Sequence, residues 1–227
     1  MLNWIVGNKE LIKLIYGLVI SLICVIIVLK TDKLFRLSMH QGIRYFRNAF
    51  FFYGLAFITR YLLGAMRSYN FLPIVYESSI KLMFEFFLIT AGFFLIYSLL
   101  WKKIETTKEN YRSSLLNKKI IVLYIMAFVL ALLDYIWQAY YFMFFSQIII
   151  FIFASVISYL NYTSNGEKHR FLKFYFIAML LSLSAWVLNA LSPIYFNWSQ
   201  GVLMNIYVLN SILFLLFLWG VIKITKK

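Results

Sequence analysis

Arg60 and Glu85 are ionisable residues standing well inside the second and third of the chain's apolar runs. A charged side chain placed deep in hydrocarbon costs on the order of 2.5–3.5 kcal/mol, so it turns toward other protein groups and finds a partner there. At 1.5 Å of rise per residue, both residues fall in the outer half of their spans, within about one helical turn of each other. The expected chemistry is an ion pair, which either fixes two helices in register or holds a ligand. Lys81 shares one helical stripe with Ser78, Glu85, Ile89 and Gly92, because residues three or four apart stack. It is therefore a second expected partner for Glu85, one turn closer to water.

Other polar residues gather at the same depth. Asp134 is near the end of the fourth apolar run, Gln147 is two turns into the fifth, Asn189 is near the end of the sixth, and Asn205 and Asn210 follow the start of the seventh. Trp186 and Tyr207 join them, each with a polar tip that needs a partner when buried. The inner halves are almost wholly Leu, Ile, Val and Phe, broken by hydroxyls such as Ser155 and Ser158. This asymmetry predicts a polar pocket open to the outside above a dry, sealed cytoplasmic half. For the Arg60, Lys81 and Glu85 group, a purely structural ion pair is the plainer expectation. Asp134, close to the interface and beside Trp137, is expected to be solvated by water.

Several chemistries lack their residues. A zinc site takes three or four His, Cys or carboxylate ligands, and the two histidines, His40 and His169, have no ligand partner at motif spacing. The single cysteine, Cys24, is expected to be a buried, inert thiol. There is no glycine-rich phosphate loop, and the GxSxG and HExxH patterns are missing. Retinal would need a lysine in the middle of the last apolar run, whereas Lys223 follows its end. No metal and no cofactor are expected. An intramembrane enzyme using Glu85 or Asp134 as acid or base would need a neighbouring nucleophile or metal, and none is visible.

The elements that must position these residues are helices. Hydrophobic residues make up 63% of the chain and charged residues 13%, against about 25% charged in a soluble domain. About 20 apolar residues cover the hydrocarbon layer, and seven stretches qualify: Leu11–Leu29, Ile43–Met66, Tyr76–Trp101, Ile120–Gln138, Tyr141–Tyr162, Phe174–Leu191 and Val202–Ile222. The fourth and fifth run together, so one reversal is required, expected near Ala139. No stretch alternates as a barrel strand does. The fold class is all-α, a polytopic bundle of seven transmembrane helices forming a single domain, 1–227, with no soluble domain.

Lys and Arg set the orientation. The connections after spans one, three and five carry Lys30, Lys33, Arg36, Arg44 and Arg47, then Lys102, Lys103, Lys108, Arg112, Lys118 and Lys119, then Lys168, Arg170 and Lys173; the tail adds Lys223, Lys226 and Lys227. By the positive-inside rule the N-terminus lies outside and the C-terminus in the cytoplasm of a multi-pass cell-membrane protein. The net charge of +14 is then anchorage on an anionic leaflet, and no nucleic-acid partner is expected. The stretch Lys33–Arg47, which mixes basic and apolar residues, is expected to lie along the interface before the second span and is a place where a cytoplasmic partner could dock. The first residues lack the pattern of a removable signal peptide.

Both prolines, Pro73 and Pro193, fall in outer loops, which predicts seven unbroken helices and a packed bundle more than a rocking carrier. Gly17, Gly54 and Gly92 lie inside spans, where small residues let helices approach closely. Spans one to three and five to seven share no motif. Trp101, Trp137 and Trp198 sit near the expected membrane boundaries, as an aromatic belt does.

The stretch HQGIRYFRNAFFFYGLAFITRYLL, His40 to Leu63, resembles the second-helix signature of a group of uncharacterised seven-helix membrane proteins from archaeal genomes, a resemblance that implies the fold and no activity. The general plan is also similar to the seven-helix sensor modules fused to prokaryotic histidine kinases, but only a few residues follow span seven, so any signalling output is expected to pass through a separate partner. The leading functional expectation is a receptor-like or accessory protein whose outer pocket takes a small molecule, a lipid or a partner helix. The alternatives are a small transporter or ion pathway using Glu85 and Arg60, and a lipid-modifying enzyme.

Overall fold

The structure, a computed structural model, describes residues 8–69, 71, 73, 75–104, 118–137, 140–164, 170–195 and 200–225. The residues before Asn8, the turn expected near Ala139, and His169, Trp198, Lys108, Arg112, Lys168, Lys226 and Lys227 lie outside the described residues. Among the described residues, seven helices are long and apolar enough to cross a membrane. In chain order they are α1 (Lys9–Ser38), α2 (Gln41–Phe57), α3 (Tyr76–Ile104), α4 (Lys118–Trp137), α5 (Tyr141–Ser164), α6 (Arg170–Tyr195) and α7 (Gln200–Thr225). Past Phe57, α2 continues as a π-helical stretch, Ile58–Leu63, and ends in one further α-helical turn, Gly64–Ser68.

Three expectations need correction, the briefest being Pro193, which lies inside the last turn of α6 and not in a loop. The first apolar run ends at Leu29, but α1 continues to Ser38, because no breaker intervenes and Arg36 donates to Asp32 one turn back at 2.9 Å. The stretch Lys33–Arg47 is therefore no interfacial ramp. It is the end of α1, a two-residue turn at Met39 and His40, and the start of α2. Met39 takes the left-handed conformation that terminates helices (φ 52°), and its N–H donates to the Phe35 carbonyl at 2.8 Å. Asp32 also pairs with Arg47, so one carboxylate ties together both sides of the turn. The third correction concerns α2, which is not an unbroken α-helix, because the π-helical stretch interrupts it around Arg60.

Six helices form a closed ring in the order α1, α2, α3, α5, α6, α7 and back to α1, while α4 packs outside it against α3 and α5. Two ends can be distinguished, the His40 end, where α1 gives way to α2, and the Tyr140 end, where α4 gives way to α5. The outer surface is apolar: Leu22, Leu29 and Phe145 are 64%, 65% and 67% exposed. A soluble bundle hides such side chains, whereas lipid accepts them, so the surface is that of a multi-pass membrane protein.

Close approaches inside the ring occur at the glycines. A Cβ at Gly17 would lie 2.2 Å from the Tyr61 Cβ, one at Gly54 would lie 3.2 Å from the Cys24 Cβ, and one at Gly92 would lie 2.8 Å from Ile150 Cδ1. The first two bring α1 against the second helix, and the third brings α3 against α5. Cys24 is buried at the first of these seams. Aromatic rings fill much of the rest, as where Phe52 of α2 stacks on Phe94 of α3 at 5.4 Å.

Candidate functional site

Helix α2 supplies one wall of the site. Phe46, Phe50, Tyr53, Phe57 and Arg60 recur at intervals of three and four residues, which puts them on one face. The last four line a cavity enclosed by the ring. Arg60 lies within the π-helical stretch, a winding that often occurs at functional sites because the extra residue per turn redirects a side chain.

The Arg60 guanidinium lies 4.6 Å from the centre of the Phe84 ring and 5.8 Å from that of Tyr61, distances at which a cation is attracted to an aromatic face. Among the described residues, no carboxylate pairs with it and no acceptor takes a hydrogen bond from it. The expected Arg60–Glu85 pair is therefore not formed. Three tyrosines form a collar at the same level: Tyr16 stacks on Tyr207 at 4.5 Å and meets Tyr61 edge-on at 5.2 Å. Gly17, one residue after Tyr16, makes room for Tyr61 to come this close.

The central cavity has a volume of about 90 Å³, enough for a few waters and smaller than the ~150 Å³ that accommodates benzene. Besides the α2 stripe, it is lined by Trp186, Asn189, Tyr207 and Asn210, and no carboxylate appears in its described wall. Tyr53 is 6% exposed and its hydroxyl has no hydrogen-bond partner. A buried orphan hydroxyl costs about 1–3 kcal/mol unless a water or another polar atom in the cavity meets it. Toward the Tyr140 end, Arg60, Tyr61 and Tyr207 also line a polar vestibule of about 360 Å³, which reaches the exposed Glu77. Arg60 is thus part of both the vestibule floor and the roof of the central cavity.

The half toward the His40 end is not sealed. It holds a void of about 470 Å³ between α1, α2, α3, α6 and α7, lined by apolar side chains with only a few polar groups such as Thr31, Ser98 and His40. The run of Leu, Ile, Val and Phe concealed this void, because bulky aromatics held apart by neighbouring helices leave gaps that composition cannot register.

Four of the expected residues form a different cluster, between α3, α4 and α5. Lys81 Nζ lies 4.0 Å from Glu85 Oε1, so the partner of Glu85 is the lysine one turn away on its own helix. Glu85 is fully buried and neither carboxylate oxygen has a hydrogen bond. Lys81 also sits 4.1 Å from the centre of the Tyr140 ring. Burial holds the Tyr140 phenol above its ordinary pKa, so the ring facing the ammonium is neutral.

Asp134 overturns the expectation of a solvated carboxylate. It is fully buried and accepts N–H bonds from Phe142 at 3.0 Å and Met143 at 2.7 Å. These are free donors in the first turn of α5, and an acceptor there satisfies them and favours the positive end of the helix dipole. Gln147 is fully buried too; its Nε2 donates to the Leu88 carbonyl at 3.1 Å, beside Gly92.

The single expected pocket is thus two sites. Arg60, Trp186, Asn189, Tyr207 and Asn210 come together at the central cavity, while Lys81, Glu85, Asp134 and Gln147 do not line it. Asn205 belongs to neither group, being exposed on α7. Sequence reading missed Tyr16, Tyr53, Tyr61 and Phe84. The α2 members could have been found from the three-and-four spacing that leads to Arg60. Among the described residues, no three His, Cys or carboxylate groups assemble as a metal site. Comparison with protein-family models, curated proteins and solved structures finds no match.

Proposed function

We propose that this is a receptor-like or accessory protein of the cell membrane, with its N-terminus outside, whose vestibule of about 360 Å³ binds a small organic anion from the outer side, above the central cavity. The observation that carries this reading is the Arg60 guanidinium, set in the cavity wall against aromatic rings with no carboxylate at salt-bridge distance among the described residues. A half-buried guanidinium with no salt bridge keeps its N–H donors available, and their fork matches carboxylate, sulfonate or phosphate. The Tyr53 hydroxyl offers a further hydrogen bond deeper in the cavity. The tyrosine collar and Phe84 suit an apolar or aromatic body behind the charged group. The excess of Lys and Arg in the connections at the His40 end supports the orientation.

Thermal unfolding of the purified protein in nanodiscs, with and without benzenesulfonate, tests this reading. A ligand held at 100 times its Kd adds about 2.7 kcal/mol to the folded state, so the wild type should melt several degrees higher with the probe. Arg60→Gln should lose that shift while folding normally. Equal shifts in both proteins would remove Arg60 from the site.

A further inference from the structure

We infer that the three voids are one interrupted passage along the ring axis, that it carries a small amphipathic organic anion across the membrane, and that Phe217 is the barrier on its His40 side. The voids lie in series because they share walls. Arg60, Tyr61 and Tyr207 line both the vestibule and the central cavity, and Phe217 lines both the central cavity and the void at the His40 end. Along the second helix their linings run from His40 to Ala65, which at 1.5 Å per residue is about 37 Å. That exceeds the hydrocarbon thickness of about 30 Å. Each outer void also reaches an exposed residue, Glu77 at one end and His40 at the other.

Phe217 is clasped by Phe50 at 5.3 Å and, more loosely, by Phe46 and Tyr175 at 6.5 Å. These rings come from α2, α6 and α7 and close the axis. The void of about 470 Å³ directly beyond is roughly three times the ~150 Å³ that accommodates benzene, so the Phe217 ring has room to swing aside by a change of rotamer. A bare inorganic ion would find almost no polar group in that void. An anion with an apolar body would be stabilised by Arg60 at one stage and by the apolar walls at the next, hence the amphipathic cargo.

The nature of the cargo rests on the anion-binding reading of Arg60; the existence of the passage does not, and the test separates the two. In a Cys24→Ala background, Ser98→Cys places a thiol in the void at the His40 end. A membrane-impermeant thiol reagent should reach it far faster from the His40 side than from the Tyr140 side. With Phe217→Ala added, modification from the Tyr140 side should become about tenfold faster or more, which corresponds to a barrier lower by about 1.36 kcal/mol. In proteoliposomes, wild-type uptake of benzenesulfonate should exceed that of protein-free vesicles, Phe217→Ala should raise it by a similar factor, and Arg60→Gln should abolish it in both. Should Phe217→Ala not fold, Phe217→Leu removes the ring while keeping most of the volume.

A thiol that stays protected from the Tyr140 side in a folded Phe217 variant overturns the passage. A thiol that becomes reachable without any benzenesulfonate uptake sustains the passage and overturns the anionic cargo. Benzenesulfonate binding without reachability leaves the outer site standing and removes the passage.

Discussion

Gly17 and Tyr61 touch so closely that a Cβ on the glycine would stand 2.2 Å from the Cβ of the tyrosine. No rotamer change relieves that overlap, because both atoms are fixed to the backbone, so Gly17→Ala must push α1 away from the π-helical stretch. Overpacking of this kind costs about 1–3 kcal/mol. We predict a lower melting temperature together with a weaker benzenesulfonate shift, since Arg60 and Tyr61 move with the same stretch. Gly54→Ala, facing Cys24 Cβ at 3.2 Å, should cost less and leave the shift unchanged. Equal losses of binding in the two variants would detach the stretch from the site.

The Lys81–Glu85 pair predicts a reciprocal pattern. Lys81→Met takes away the nearest cation to the buried Glu85 carboxyl and should lower stability by about 1–3 kcal/mol. Glu85→Gln replaces a buried carboxyl whose oxygens have no hydrogen bond and should be neutral or stabilising. The double variant should recover most of what Lys81→Met loses. Melting curves of the three variants check the pattern. None of them should change the benzenesulfonate shift, because Glu85 does not line the central cavity.

Asp134 is expected to behave as a helix cap. Asp134→Ala strips two N–H groups of α5 of their acceptor, and loss of a cap costs about 0.5–2 kcal/mol. Asp134→Asn keeps one acceptor oxygen and should cost less. Hydrogen exchange at Phe142 and Met143 should accelerate in the alanine variant; unchanged exchange there would show that the cap is dispensable.

The turn between α1 and α2 carries a non-glycine residue in the left-handed region, Met39 with φ 52°. Left-handed backbone costs a side-chain-bearing residue about 1–2 kcal/mol. Met39→Gly should therefore keep or slightly raise stability, and Met39→Val, whose branched Cβ fits this conformation worst, should lower it. Thermal unfolding ranks the two.

The depth of polar residues was readable in the sequence, and their direction was not. The third span, Tyr76–Trp101, agrees in both bounds with the helix segment able to cross a membrane, because length and hydropathy are properties of single residues summed along a line. The pairing of Lys81 with Glu85 was likewise within reach, since both lie on one helix. Phe84 and Glu85 show where this stopped. They are neighbours in sequence, yet Phe84 lines the cavity while Glu85 does not and lies near Lys81 of its own helix and Asp134 of α4, for successive side chains on a helix point about 100° apart. Choosing between those directions needs the order of helices around the axis, and nothing local in α4 reveals that it stands outside the ring. The π-helical stretch added a further change of phase just before Arg60, which a fixed helical period cannot anticipate.

The cap made by Asp134 also has a bearing on how such a chain is made. A ribosome delivers α4 before α5, so for a time the carboxylate would face hydrocarbon with its two N–H donors still unsynthesised. That exposure is avoided if the two helices wait at the translocation channel and leave it sideways as a joined hairpin. A nascent chain halted after α4 should then slip back toward the ribosomal side, while the same chain with Asp134→Leu should stay embedded, and glycosylation tags at the halted end would tell these apart.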